Sequence, residues 1–405
     1  MIMKTDLSNV SDLVNRWTKV PVALGLLGGV GVVVGLLTQP KQLAFSYLLA
    51  FMFFLSLCLG GLFLVLVHHL FDANWSVPLR RVAEQMACSV VVLAVLFIPL
   101  GLLAPELYAW MDPAHADHAL KAKAGYLNKP FFYIRAVLLF AVWTFLSWRL
   151  RYWSLQQDES GAAQCTHRMR RLAAAGVFLF AITLTLAAID WMKSLQHEWF
   201  STMYGVYYFA GSTWLTLATV YMLAAWLRSR ESLRGLIQLR QMHDLGMLIF
   251  VFTVFYAYIH FSQYLIIWNA NLPEEIFWYQ MREKGYWWGS SMVLVFGHFL
   301  LPFLLLLRID AKLKLSLMIP VCVWAWVMHF VDMSFNVLPP LHLEDFPWRW
   351  TDLACFLFIG GAVTWFFLRN LARHPVYPLR DPRLKEALTI HGVPPPAIAE
   401  SVGDH

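Results

Sequence analysis

Ten apolar stretches, each near the length that crosses a bilayer, are separated by short polar segments along this chain. They lie near 20–38, 44–69, 83–105, 130–149, 171–191, 203–228, 243–268, 288–308, 313–335 and 351–370. Roughly twenty apolar residues span the hydrocarbon layer as a helix. In lipid only a helix or a closed barrel satisfies every backbone N–H and C=O. Pro40, Pro78, Pro130 and the pair Pro339–Pro340 fall between stretches, where helix breaks belong. The expected fold is an all-α integral membrane protein with ten transmembrane helices.

The cations alternate with the stretches. Of 31 Lys and Arg, 22 lie in the two tails and the even-numbered loops, among them Arg80, Arg81, Arg149, Arg151, Arg168, Arg170, Arg228, Arg240, Arg308, Arg373 and Arg383. Eight lie in the odd-numbered loops: Lys41, Lys121, Lys123, Lys129, Lys193, Arg282, Lys284 and Arg349. Loops rich in Lys and Arg stay cytoplasmic, so both termini are expected there. One cation, Arg135, falls inside a span. The net charge of +6 reflects cytoplasmic Arg facing anionic lipid and requires no nucleic acid. Charged residues make up 14% of the chain, against about 25% in soluble domains. The first stretch is followed at once by others, so no cleavable signal peptide is expected.

Five cysteines (Cys58, Cys88, Cys165, Cys322 and Cys355) form no CxxC or CxxCH pattern. No disulfide, covalent haem or iron–sulfur cluster is expected on this chain, and any redox centre belongs to a partner. No two histidines sit at clearly matched depth on neighbouring spans, as a b-type haem would need. Nucleotide-binding, metalloprotease and nucleophile-triad motifs are absent.

The chain divides into residues 1–43 (tail and first span), 44–191 and 192–335 (two four-helix bundles, spans two to five and six to nine), and 336–405 (last span and tail). The division rests on a faint parallel repeat: span five ends AIDWMKSL with Asp190, and span nine ends HFVDMSFNVL with Asp332. Gly25, Gly29, Gly31 and Gly35 of the first span have the spacing of close helix contacts and are expected to dock another subunit. The tail after 371, with Pro394–Pro396, is expected to be extended.

Ionisable residues within spans are the first functional candidates. Arg135 and Asp190 fall at similar depth on sequential spans and are expected either to pair with each other or to contribute to quinone binding. His329 and Asp332 are three apart on one helix face, where the carboxylate can orient the imidazole. His260 lies at comparable depth, His298 nearer mid-membrane, and His243 with Asp244 towards the cytoplasm. Together these outline a proton path with a gap between His298 and His243. Asp72, Glu84 and Asp244 are expected to be solvated at the interface.

Four segments carry a resemblance: DWMKSLQHEWFSTMYGVYYFAGSTW at 190–214, HDLGMLIFVFTVFYAYIHFSQYLIIWNANLPEE at 243–275, ANWSVPLRR at 73–81 and YPLRDPRLKEAL at 377–388. They resemble the NrfD-like membrane subunits of bacterial alternative complex III, a quinol:electron-acceptor oxidoreductase. Such a complex holds two NrfD-like chains. Length and the DPRLKEAL tail are closer to the second, shorter one than to the first, longer one. The resemblance implies a bacterial inner-membrane subunit with two four-helix bundles flanked by one helix at either end. It implies partners: the longer NrfD-like chain, an iron–sulfur subunit, multihaem cytochrome subunits, small membrane subunits, lipid and a terminal oxidase. It implies menaquinol or a related quinol as reductant, with haems and iron–sulfur clusters on other subunits and none on this chain. The shorter NrfD-like chain is also linked by the family to quinone binding and proton conduction.

The sequence departs from a quinol site in one respect. An outer-face site needs an acceptor pair, typically His with a carboxylate. The outer half of the first bundle offers Asp190 and Arg135 but no His; the outer histidines are in the second bundle. That favours a supporting or proton-conducting role. The alternatives are the NrfD-type anchor of a polysulfide or molybdopterin-type reductase, and a proton-coupled secondary transporter.

Overall fold

The computed structural model describes Val14, residues 16–112 and residues 118–389. Among the described residues no strand forms and ten helices are long and apolar enough to cross a membrane. They are α1 (Lys19–Thr38), α2 (Pro40–Leu70), α3 (Val77–Leu107), α4 (Lys129–Ser160), α5 (Ala163–Gln196), α6 (Tyr204–Arg228), α7 (Leu239–Ala270), α8 (Gly285–Leu306), α9 (Leu315–Val337) and α10 (Trp350–Arg373). Each covers one apolar stretch, and several run past it into polar sequence. α4 starts where the Asn128 side chain accepts the Phe131 N–H at 3.0 Å and stops at Gly161, whose φ of +67° favours glycine.

Two helices form the centre. Along their most apolar windows α2 is 83% buried and α6 78%, whereas α1 is 17% buried. α2 packs against α3 and α5, and α4 joins both; α6 packs against α7 and α9, and α8 joins both. The two groups meet chiefly along α2 and α6. Lipid removes the hydrophobic drive between helices, so close backbone approach at small residues matters more. At Gly60 of α2 an added Cβ would overlap Thr216 Oγ1 and lie 2.8 Å from the Ser212 carbonyl oxygen, both of α6.

The glycines of α1 are used inside the chain, which corrects the expectation of a docking face. A Cβ on Gly28 would overlap the Phe358 nitrogen and fall 2.6 Å from the Ala354 carbonyl of α10. Gly31 and Gly35 also face α10, through Ala354 and Thr351. The face α1 leaves open is its Leu and Val face, with Leu26, Leu27 and Val30 exposed.

The C-terminal tail is not simply extended. After α10 it runs back over the ends of α3 and α4 and finishes in a short helix, Leu384–Thr389. Pro394–Pro396 lie outside the described residues.

Candidate functional site

On α9 the spacing 329, 332, 336 sets His329, Asp332 and Asn336 along one face, and that face turns inward. Asp332 is 0% exposed. Its Oδ1 accepts the hydroxyls of Tyr256, at 2.8 Å, and of Tyr207. Asn336 Nδ2 donates to Tyr207 Oη at 3.0 Å, and Asn336 Oδ1 accepts from Tyr204 at 3.0 Å. No Lys or Arg forms an ion pair with Asp332 among the described residues. A carboxylate buried without a cation is expensive, and hydroxyl donors only partly offset that cost.

His329 lies one turn back, fully buried, with Nε2 2.9 Å from Ser56 Oγ of α2. Ser56 gives its own proton to the Phe53 carbonyl at 2.6 Å. The neutral ring therefore donates from Nε2 and keeps Nδ1 as an acceptor. That Nδ1 and Asp332 Oδ2 make no hydrogen bond among the described residues. Both border the bare face of Gly211, where a Cβ would stand 3.5 Å from Nδ1 and 3.6 Å from Oδ2. Two acceptors facing one small space are satisfied together only by something that carries a proton.

His298 joins the same group from α8. It sits in a π-helical turn, Leu294–Leu300, stacked between Tyr256 (centroids 3.7 Å apart) and Trp214 (4.1 Å). Such turns recur at functional sites. His260 stacks near Tyr256 and Tyr207, with centroids 5.9 and 5.5 Å apart. The structure thus brings Asp332, His298 and His260 together around Tyr207 and Tyr256, with His329 beside Asp332 at the Gly211 face. The tyrosines and Asn336 were not singled out in the sequence, because aromatic residues at helical spacing read as core.

His243 and Asp244 are not part of this group. They lie at the opposite end of α7, 13 residues before Tyr256, about 20 Å at 1.5 Å per residue. Asp244 instead faces Arg240 at 3.8 Å and His243 at 3.7 Å, all partly exposed. Between lie Thr253, which accepts Trp214 Nε1 at 2.8 Å, and Tyr221, which donates to the Lys312 carbonyl at 3.0 Å.

The other expected pair is a separate centre. Arg135 Nε reaches Asp190 Oδ2 at 2.6 Å and Nη2 reaches Oδ1 at 3.2 Å, a two-pronged contact. Nη1 donates to the Tyr126 carbonyl at 2.8 Å, and the guanidinium lies 3.9 Å from the Tyr126 ring centroid and 4.4 Å from that of Phe131. Asp190 occupies the other π-helical turn, Ala188–Met192. Burial, then the nearby carboxylate, push the Tyr126 and Tyr108 phenols upward, so they stay protonated. Asp190 and Asp332 therefore have unlike surroundings: among the described residues Asp190 faces a cation, and Asp332 hydroxyls and an amide. A groove of about 750 Å³ opens between α3 and α4, lined by Phe97, Gly101, Tyr133, Phe140 and Thr144. Tyr133 spends its hydroxyl on the Gly101 carbonyl. Among the described residues no carboxylate or His lines the groove.

At the cation-rich end the segments ANWSVPLRR and YPLRDPRLKEAL meet. Arg80 binds Asp381 and Ser154, Arg81 binds Asp158, and Glu84 lies 3.0 Å from Arg80 and 3.3 Å from Arg81. Arg383 reaches Asp72 at 3.3 Å and His68 at 3.2 Å. Glu84 is only 2% exposed, which corrects its expected solvation: four residues after Arg80, it faces the cluster rather than water. Asp72 and Asp244 keep partial exposure. Burial alone would raise the Asp381 carboxyl, but Arg80 and Arg383 hold it below the usual carboxylate range.

No group of three or more His, Cys, Asp or Glu among the described residues is arranged to hold a metal ion. Fold and site together define a polytopic helical membrane protein whose interior holds a carboxylate, Asp332, with no ion-pair partner among the described residues. No family model matches the chain, and no curated protein does either.

Proposed function

We propose that this chain is the second, shorter NrfD-like subunit of a bacterial alternative complex III, and that it handles protons for a quinol:electron-acceptor oxidoreductase rather than oxidising quinol itself. The observation that carries the proton role is the buried His329–Asp332 pair: two acceptors around Gly211, two tyrosine donors, and no neutralising cation among the described residues. Such a site binds and releases a proton more readily than it binds a permanent charge. His298 and His260 extend it through the ring stack on Tyr256. Arg135 and Asp190 act as an internal ion pair that joins α4 to α5. The two helix groups α2–α5 and α6–α9 are read as a parallel repeat, and both termini as cytoplasmic.

The subunit assignment rests on the four sequence segments, two of which meet in the Arg80–Asp381 cluster. It places haems and iron–sulfur clusters on partners, with menaquinol or a related quinol oxidised beside this chain. Affinity purification from native membranes followed by mass spectrometry tests it. The expected result is co-purification with a multihaem cytochrome, a large iron–sulfur subunit and a second NrfD-like chain. A molybdopterin subunit in their place would move the chain to a reductase anchor, and isolation as a homo-oligomer would favour a transporter.

A further inference from the structure

A second cavity, of about 530 Å³, lies between the two helix groups at the cation-rich end. It is a groove with two walls. The first is the end of α2, the turn after it and the start of α3, including His68, Ser76 and Arg80. The second is the first part of α7, from Arg240 to Phe252, about 18 Å at 1.5 Å per residue. Leu217 and Val220 of α6 also line it.

The tail crosses from one wall to the other. On the first side Asp381 binds Arg80, and Arg383 reaches His68 at 3.2 Å and Asp72 at 3.3 Å. The short helix Leu384–Thr389 then packs on the start of α3, Val77–Leu79. On the second side Gln238, just before α7, donates from Nε2 to the Leu388 carbonyl at 3.3 Å. Gln241 of α7 donates from Nε2 to the Ala387 carbonyl at 3.5 Å. Gln241 is 0% exposed and Ala387 4%, so this contact is closed to solvent. We propose that the tail is a latch: Asp381 and Arg383 anchor it on the first helix group, residues 384–388 hold the start of α7, and release of that hold opens the groove between α2 and α7.

Two features of the geometry carry this. The ends of the latch sit on the two walls: His68 and Arg80 line the groove themselves, and Gln241 adjoins Arg240 and lies one turn before Leu245. Any change in the distance between those ends is a change in the width of the groove. The bonds at the two ends also differ in kind. Ion pairs hold Asp381 and Arg383, whereas the Gln238 and Gln241 bonds join neutral amides to carbonyls. A charge-assisted hydrogen bond is about twice as strong as a neutral one, so these bonds to α7 part before the ion pairs do. The latch does not depend on the proton role of Asp332.

The test is the rate at which a sulfonated maleimide labels Leu245→Cys in the full chain, purified in its native assembly and held in nanodiscs that leave both faces accessible. Leu245 lines the groove and is 1% exposed, and the five native cysteines are buried. Labelling should be slow while the latch holds. Ala387→Glu drives a charge into the closed contact, and Gln238→Ala removes one bond to α7. Added to Leu245→Cys, each should speed labelling, Ala387→Glu by about tenfold, the worth of two neutral hydrogen bonds lost together. Ile267→Cys, at the far end of α7 and 4% exposed, is the control, and neither variant should change its rate. Faster labelling at Leu245→Cys alone, in either variant, supports the latch. Unchanged labelling in both variants would overturn it. So would equal rises at Leu245→Cys and Ile267→Cys, which mark a general loosening of the fold. Gln238→Ala alters a partly exposed side chain, so it decides the matter if Ala387→Glu fails to assemble.

Discussion

At the residue scale, the two buried aspartates Asp190 and Asp332 differ in their neighbours. Asp190 has a guanidinium, and removing either member of the Arg135–Asp190 pair strands a charge. Arg135→Gln and Asp190→Asn should each destabilise the purified chain by about 3–5 kcal/mol, and the double variant by less than their sum. Additive losses in thermal unfolding would show that the pair does not act as a unit. Among the described residues Asp332 has hydroxyl and amide donors alone, and its neighbour across Gly211 is an acceptor. Gly211→Ala puts a methyl group 3.3 Å from His329 Cε1, with side chains rather than backbone as its nearest neighbours, so the chain should still assemble. Proton release by the assembled complex should fall, because the space between the two acceptors is filled. Unaltered proton release would separate Gly211 from the site. Arg135 with Asp190 was legible from depth alone, and His329 with Asp332 from their i, i+3 spacing. Tyr207, Tyr256 and Asn336 were not, because their role depends on which helices face α9.

At the scale of elements, all ten spans were legible, since length and apolarity are local properties that tertiary packing does not alter. Which faces pack was much less so. The glycines of α1 read equally as an interface with another protein or with another helix of the chain, and only the placement of α10 decides between them. Gly28→Ala tests that placement. Its Cβ would meet the Ala354 carbonyl of α10 at 2.6 Å, which no side-chain rearrangement relieves. A loss of about 1–3 kcal/mol is expected, as for other overpacked contacts, read as a lower unfolding temperature of the purified chain. Gly125, with no atom near its added Cβ among the described residues, serves as the control. Equal effects of Gly28→Ala and Gly125→Ala would argue against the α1–α10 contact. The π-helical turns around Asp190 and His298 had no sequence signal, because a one-residue widening of a turn leaves the hydrophobic period almost unchanged.

For the whole molecule, the tail closes the cation-rich end by ion pairs, so its attachment should depend on pH. Asp381 has a lowered pKa in the fold. A lowered carboxylate pKa contributes stability that is complete above the unfolded value, about 3.9, and lost as pH falls through the folded one. Residues 377–388 should therefore stay protected from hydrogen exchange at neutral pH and lose protection only below about pH 4. Loss of protection already above pH 5 would place the control elsewhere. This closure was the part least legible in sequence, since its partners, Arg80 and Asp381, are 301 residues apart. Reporter fusions after residue 389 test the side on which it lies, with activity expected only for a cytoplasmic reporter. The central claim is that the Asp332 site carries protons for a redox complex. Its most direct test is proton release per electron in sealed vesicles containing the purified complex with Asp332→Asn. Normal assembly and quinol oxidation are expected, with fewer protons released per electron. An unchanged proton stoichiometry in the fully assembled variant would contradict the claim.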